Sequence, residues 1–120
     1  MHKVLVIDDD IDHCDLIQQF LSLAGFQVKV FTSPIKALQC LEQEDFTVIV
    51  SDVKMPEITG IELCKIVSEK FSHIPVILLT GYADLKMAFK AMSAGAYGFL
   101  TKPNEVLELD TVIKKALFLS

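Results

Sequence analysis

The sequence predicts an α/β fold: a doubly wound, five-stranded parallel sheet with five helices, one domain over residues 1–120. Three observations predict it. Short apolar runs alternate five times with amphipathic stretches of helical period. The runs are continuous in Val, Ile and Leu, as in Val76-Ile77-Leu78-Leu79, which marks strands buried on both faces of a parallel sheet covered by helices. The connections are short, as in repeated strand–helix units with right-handed crossovers. The length is that of one domain, and no linker, internal repeat or low-complexity segment interrupts it.

The elements follow in order. Lys3 to Ile7 reads as a buried strand that stops at three acids. Asp10 is a plausible N-cap for a helix over Ile11 to Ala24, with Cys14, Ile17, Leu21 and Ala24 on one face and Gly25 as its terminator. Phe26 to Phe31 alternates weakly, with Val28 and Val30 on one face, and suits a strand nearer the sheet edge. Ser33-Pro34 reads as an N-cap and a first-turn proline for a helix to Glu44, with Ala37, Leu38 and Leu41 inward. Phe46 to Val50 is the third strand and ends at Ser51-Asp52. A loop with Pro56 and Gly60 leads into a third helix to Lys70, with Leu63, Ile66 and Val67 inward. Val76 to Leu79 is the fourth strand, ending at Thr80-Gly81. A fourth helix over Asp84 to Ala94 closes at Gly95, Tyr97 to Leu100 is the fifth strand, and the last helix follows Asn104.

Composition excludes several classes. A chain that is 52% hydrophobic and 22% charged fills a core and is no disordered tail. No apolar run is long enough to cross a bilayer, and the N-terminus lacks the long apolar stretch of a secretory signal, so a soluble cytoplasmic protein with no membrane contact is expected. The net charge is −5, and all eleven basic residues are lysine. An acidic chain without arginine is a poor candidate for direct nucleic-acid binding. Cys14, Cys40 and Cys64 lack zinc spacing and read as reduced, mostly buried thiols. His2, His13 and His73 are isolated and read as surface residues.

The chemistry gathers at the C-terminal ends of strands: Asp8 and Asp9 after the first, Asp52 after the third, Thr80 after the fourth and Lys102 after the fifth. That edge is where open parallel sheets bind ligands. Three crowded carboxylates repel one another, and a hard divalent cation relieves the repulsion. Magnesium suits oxygen donors and keeps waters that a phosphoryl oxygen can replace. A carboxylate can then attack phosphorus, while a lysine and a hydroxyl hold the oxygens on which charge develops. Each piece alone has an ordinary explanation: capping for the acids, a plain turn for Thr80-Gly81, a solvated surface for Lys102. It is their arrival at one sheet edge that points to a site.

The segments VLVIDDD, IVSDVKMPEITGIEL, PVILLTGYAD and AGAYGFLTKP resemble the receiver domain of bacterial response regulators, over essentially the whole chain. The wording TGYAD and GAYGFLTKP is most similar to receivers of the nitrogen-regulator and nitrogen-fixation-regulator groups. The resemblance implies a flavodoxin-like sheet of strand order 2-1-3-4-5. It implies Asp52 as phosphoacceptor. Asp9 would contact magnesium directly, Asp8 mostly through water, and the backbone carbonyl of Lys54 would complete the protein ligands. Thr80 and Lys102 would bind phosphoryl oxygens, and the Lys102-Pro103 peptide would be cis. Phe99 matches the aromatic switch position that turns inward with Thr80. It lacks the hydroxyl that many receivers carry there, so its outward state should depend less on solvent contact. Lys54 and Tyr82 would tune the phosphate lifetime, and their bulk leads us to expect a longer one than in fast chemotaxis-type receivers.

The same resemblance implies a sensor histidine kinase or histidine phosphotransfer protein as donor, docking near the first helix, where Leu16 and Phe20 could form an apolar patch. Output would run through the fourth helix, fifth strand and fifth helix. A homodimer there could pair Lys86, Lys90, Lys114 and Lys115 with Glu105, Glu108 and Asp110. Such a domain catalyses its own phosphorylation and dephosphorylation and is not a turnover enzyme. No effector domain lies within the chain, and a longer parent regulator is the expectation. Two alternatives compete. An unswitched pseudo-receiver should lack one of the acids, Thr80 or Lys102, and none is lacking. A magnesium-dependent aspartyl-phosphate phosphatase usually carries a second acid two residues after the nucleophile, where this chain has Lys54.

Overall fold

The computed structural model describes residues 2–81, 85–101 and 105–119. Five strands, β1 (Lys3–Ile7), β2 (Gln27–Phe31), β3 (Val48–Asp52), β4 (Val76–Thr80) and β5 (Gly98–Thr101), alternate with α1 (Ile11–Leu23), α2 (Pro34–Gln43), α3 (Gly60–Lys70), α4 (Leu85–Ser93) and α5 (Glu105–Leu119). All strand pairs are parallel and the order is β2-β1-β3-β4-β5. The expected α/β sheet and its order are therefore present, with β2 at the edge.

Two apolar clusters lie on opposite faces of the sheet. Leu5, Ile7, Ile49, Val76 and Leu78 pack against Ala37 and Leu41 of α2, Leu63, Cys64 and Val67 of α3 and Ala91 of α4. Val4, Val6, Val48, Val50, Ile77 and Leu79 pack against Cys14, Ile17 and Leu21 of α1 and Leu109 and Ile113 of α5. Successive strand residues alternate between the clusters, which is why β1, β3 and β4 read as unbroken apolar runs. Each of their side chains has a hydrophobic face to meet.

Local signals set the boundaries. Asp10 caps α1 by accepting from Asp12 N and His13 N, and Gly25 follows at φ 97°, a conformation open to glycine without strain. Ser33 caps α2, with Pro34 in the first turn. Thr59 and Glu62 form a reciprocal capping box at the start of α3.

Three expectations need correction. Strand β3 starts at Val48, not Phe46: Phe46 is buried at 3% exposure but sits before the ladder, so its apolarity serves the core and not the pairing. Strand β5 runs Gly98–Thr101, one residue later than the apolar pattern suggested. On α3 the inward side chains are Leu63, Cys64 and Val67, whereas Ile66 is only half-buried. The small thiol takes the place closest to the sheet.

The loop after β3 is pulled tightly back on itself. Gly60 N donates to Val53 O at 2.8 Å. A Cβ on Gly60 would overlap Asp52 O and stand 2.9 Å from Val53 Cα, both backbone atoms that cannot yield cheaply. Glycine here lets α3 start directly beneath the end of β3. Far from that edge, Glu44 at the end of α2 bridges Lys3 Nζ at 2.5 Å and Lys29 Nζ at 2.7 Å, joining α2 to the starts of β1 and β2.

Two outcomes are expected. Gly60→Ala should destabilise the fold by about 1–3 kcal/mol through overpacking, read from the urea unfolding midpoint. The hydrogen bonds from Lys29 and then Lys3 hold the Glu44 carboxyl down at about 2 from its ordinary 4.5. Its contribution is therefore complete above pH 4.5 and is lost as pH falls toward 2. In acid titrations of stability at low salt, Glu44→Gln should show a shallower loss over that window than the native chain.

Candidate functional site

The topology places β1, β3 and β4 side by side at the centre of the sheet. Their registers pair Ile7 with Ser51 and Asp52 with Leu79, so each strand ends one residue beyond its neighbour and the three ends lie side by side. Asp8 and Asp9 then follow directly on β1, Asp52 is the last residue of β3, and Thr80 is the last of β4. Each functional side chain leaves a strand whose body is fixed in the core.

One carboxylate oxygen from each of Asp8, Asp9 and Asp52 lies within 4.8 Å of the others. Asp8 is buried at 1% exposure, Asp52 is half-buried and Asp9 is exposed. The cluster is thus closed at the sheet and open to solvent. Asp52 Oδ1 accepts from Val53 N at 2.8 Å, which orients the carboxyl. Thr80 is buried at 6% exposure beside this edge. Phe99, in register with Leu78 on β5, is half-buried against the cluster formed with α2, α3 and α4. Lys54 is exposed in the loop. Lys102, Pro103 and Tyr82 lie outside the described residues, and with them the expected phosphoryl contact, cis peptide and second lifetime-tuning side chain.

The donor set is all oxygen and all acidic, with one buried and one solvent-facing member. That fits a hard divalent cation that keeps part of its water shell. Asp8, Asp9 and Asp52 would hold it, with the Lys54 carbonyl as an expected fourth ligand.

One functional contact was not read from the sequence. His13, expected to be an isolated surface residue, has a side chain only 13% exposed, and its Nδ1 meets Asp8 Oδ2. The signal was available in principle: Asp10 caps α1, so the residue three positions on lies in the first turn, over the end of β1. Cys14 also turns toward this edge, donating from Sγ to Asp8 O at 3.1 Å. Burial first, then the charges of Asp8, Asp15 and Asp10, push its thiol up to about 12, so it stays protonated and keeps its donor. On the outer face of α1, Leu16 is 52% exposed, while Phe20 packs partly against the α1–α5 cluster. The expected two-residue patch is therefore reduced to Leu16 with an edge of Phe20. On α5, Asp110 lies 3.8 Å from Lys114 of its own helix.

Comparison with known proteins agrees with this geometry. The family model of the response regulator receiver domain matches residues 4–114. The chain is 37% identical over 115 residues to the phosphoglycerate transport system transcriptional regulatory protein PgtA of Salmonella typhimurium, covering 96% of this chain and 28% of that protein. It is 39% identical over 114 residues to the transcriptional regulatory protein FixJ of Bradyrhizobium diazoefficiens, covering 95% of this chain and 56% of that one. The crystal structure of a response regulator receiver domain protein from Clostridium thermocellum superposes with a TM-score of 0.92 at 30% identity, over 99% of this chain and 96% of that chain. The chain thus spans between about a quarter and just over half of these two regulators' lengths. With a matching sequence pattern, sheet order and acidic edge, the chain belongs to the response regulator receiver domains of two-component systems.

Proposed function

We propose that this domain accepts a phosphoryl group on Asp52 from a phosphohistidine of a sensor histidine kinase or histidine phosphotransfer protein, with magnesium bound by Asp8 and Asp9 beside it. The observation that carries the reading is the meeting of Asp8, Asp9 and Asp52 within 4.8 Å at the ends of adjacent strands, next to buried Thr80. When bound, magnesium would neutralise the crowded carboxylates and the charge of the incoming phosphoryl oxygens. The chain's own groups do the rest. A carboxylate oxygen of Asp52 bonds to phosphorus as the bond from phosphorus to the donor's imidazole nitrogen breaks, and the Val53 N–H keeps the carboxyl in place. The Thr80 hydroxyl donates to one phosphoryl oxygen and the Lys102 ammonium pairs with another. The domain acts on itself and does not turn over substrate.

Drawing Thr80 toward the phosphoryl group opens space beside β4, and Phe99 on the neighbouring strand moves in. That change is passed to the face of α4, β5 and α5. On α4, Met92 is 51% exposed and offers an apolar contact, while Phe89, 73% exposed, lies over a groove with Ile61 and Lys65 of α3. Lys86 and Lys90 of α4 and Lys114 and Lys115 of α5 are exposed. The receiver would there control the remainder of a longer transcriptional regulator or pair with a second copy.

Intact mass after incubation with magnesium and a small-molecule phosphodonor tests the reading. One added phosphoryl group is expected, absent in Asp52→Asn and absent without magnesium. Steady phosphate release without an adduct would make the protein a phosphatase, and neither adduct nor release would make it an unswitched binding module. Exposed Lys54 beside the site and, by the family resemblance, Tyr82 should hinder the attacking water. The adduct's half-life should therefore be minutes or longer and should shorten in Lys54→Ala; decay of the native adduct within seconds would contradict that role.

A further inference from the structure

We infer that His13 is a positioning residue for the cation site, acting through Asp8. The inference rests on the magnesium reading above. Asp8 is 1% exposed, and four of its polar atoms are engaged by the surrounding backbone and the first turn of α1. Its N–H donates to Phe31 O at 3.1 Å and its carbonyl accepts from Cys14 Sγ at 3.1 Å. Its Oδ1 accepts from Asp10 N at 3.0 Å, and its Oδ2 meets His13 Nδ1. Of these contacts, the last comes from a side chain that can be exchanged without touching the backbone or the core. A carboxylate only accepts, so the contact puts the imidazole proton on Nδ1.

His13 is not a member of the oxygen cluster formed by Asp8, Asp9 and Asp52, so it supports a ligand and does not replace one. An ionised carboxylate has about four lone-pair sites. Asp10 N and His13 Nδ1 take one on each oxygen. A buried carboxylate fixed at both oxygens is held in one orientation toward the cation site. This is how groups behind a metal ligand raise its affinity, and their removal typically weakens binding by about 10–100-fold.

The test is cation affinity, read without any phosphodonor. Manganese binding is followed by electron paramagnetic resonance, and magnesium by competition, for the native chain, His13→Leu and His13→Asn. The asparagine amide can place an N–H where the imidazole Nδ1–H stands. His13→Leu should bind magnesium about 10-fold more weakly or worse, and His13→Asn should recover most of the loss, with all three unfolding cooperatively. Native-like affinity in His13→Leu, or equal losses in the two variants, would overturn the role of His13 while leaving the cation site standing. A native chain that takes up neither cation would overturn the magnesium reading and this inference with it.

Discussion

Mutual repulsion of three carboxylates at one sheet edge is the constraint on which the rest of the structure depends. Asp8, Asp9 and Asp52 come within 4.8 Å of one another, and like charges so close oppose folding. They stay together because they are the last links of strands whose bodies cannot move. β1 and β3 bury Val4, Leu5, Val6, Ile7, Val48, Ile49 and Val50 almost completely, and their ladder holds the ends side by side. Apolar burial, at roughly 25 cal/mol per Å², thus holds an electrostatically unfavourable arrangement in place.

The same frame explains how the site can differ from its surroundings in firmness. Asp8 is locked from β2, α1 and its own turn, through Phe31, Cys14, Asp10 and His13. Asp9 next to it is exposed. Gly60 lets the β3–α3 loop close over Asp52 without a side chain in the way. Phe99, by contrast, is only half-buried and carries no hydroxyl to anchor it. Firmly held carboxylates thus lie on the same sheet as a half-buried aromatic.

Most of this was legible in the sequence because the signals were periodic or punctuated. Continuous Val/Ile/Leu runs announced parallel strands, and Asp10, Ser33 and Gly25 marked helix ends where the structure has them. Asp8, Asp9, Asp52 and Thr80 were placed by strand ends alone. What stayed hidden depends on contacts across the chain. Phe46 is as apolar as a strand residue but packs ahead of the ladder. Cys64 is buried in the core on α3 where Ile66 is not. His13 carries no periodic signal, and only the turn of α1 over β1 brings it to Asp8. The 2-1-3-4-5 order came from family likeness, since alternating strands and helices alone do not order a sheet.

The central claim is that the carboxylate cluster is held against its own repulsion and that a divalent cation relieves it. Thermal unfolding of the native chain and Asp52→Asn, each in chelator and in excess magnesium, tests this most directly. Magnesium at about 100 times its dissociation constant should stabilise the native chain by about 2.7 kcal/mol, a shift of several degrees. In chelator, Asp52→Asn should be more stable than the native chain, because one repelling charge is gone, and it should gain less from magnesium. A native midpoint that ignores magnesium, or an Asp52→Asn midpoint no higher than native in chelator, would contradict the account.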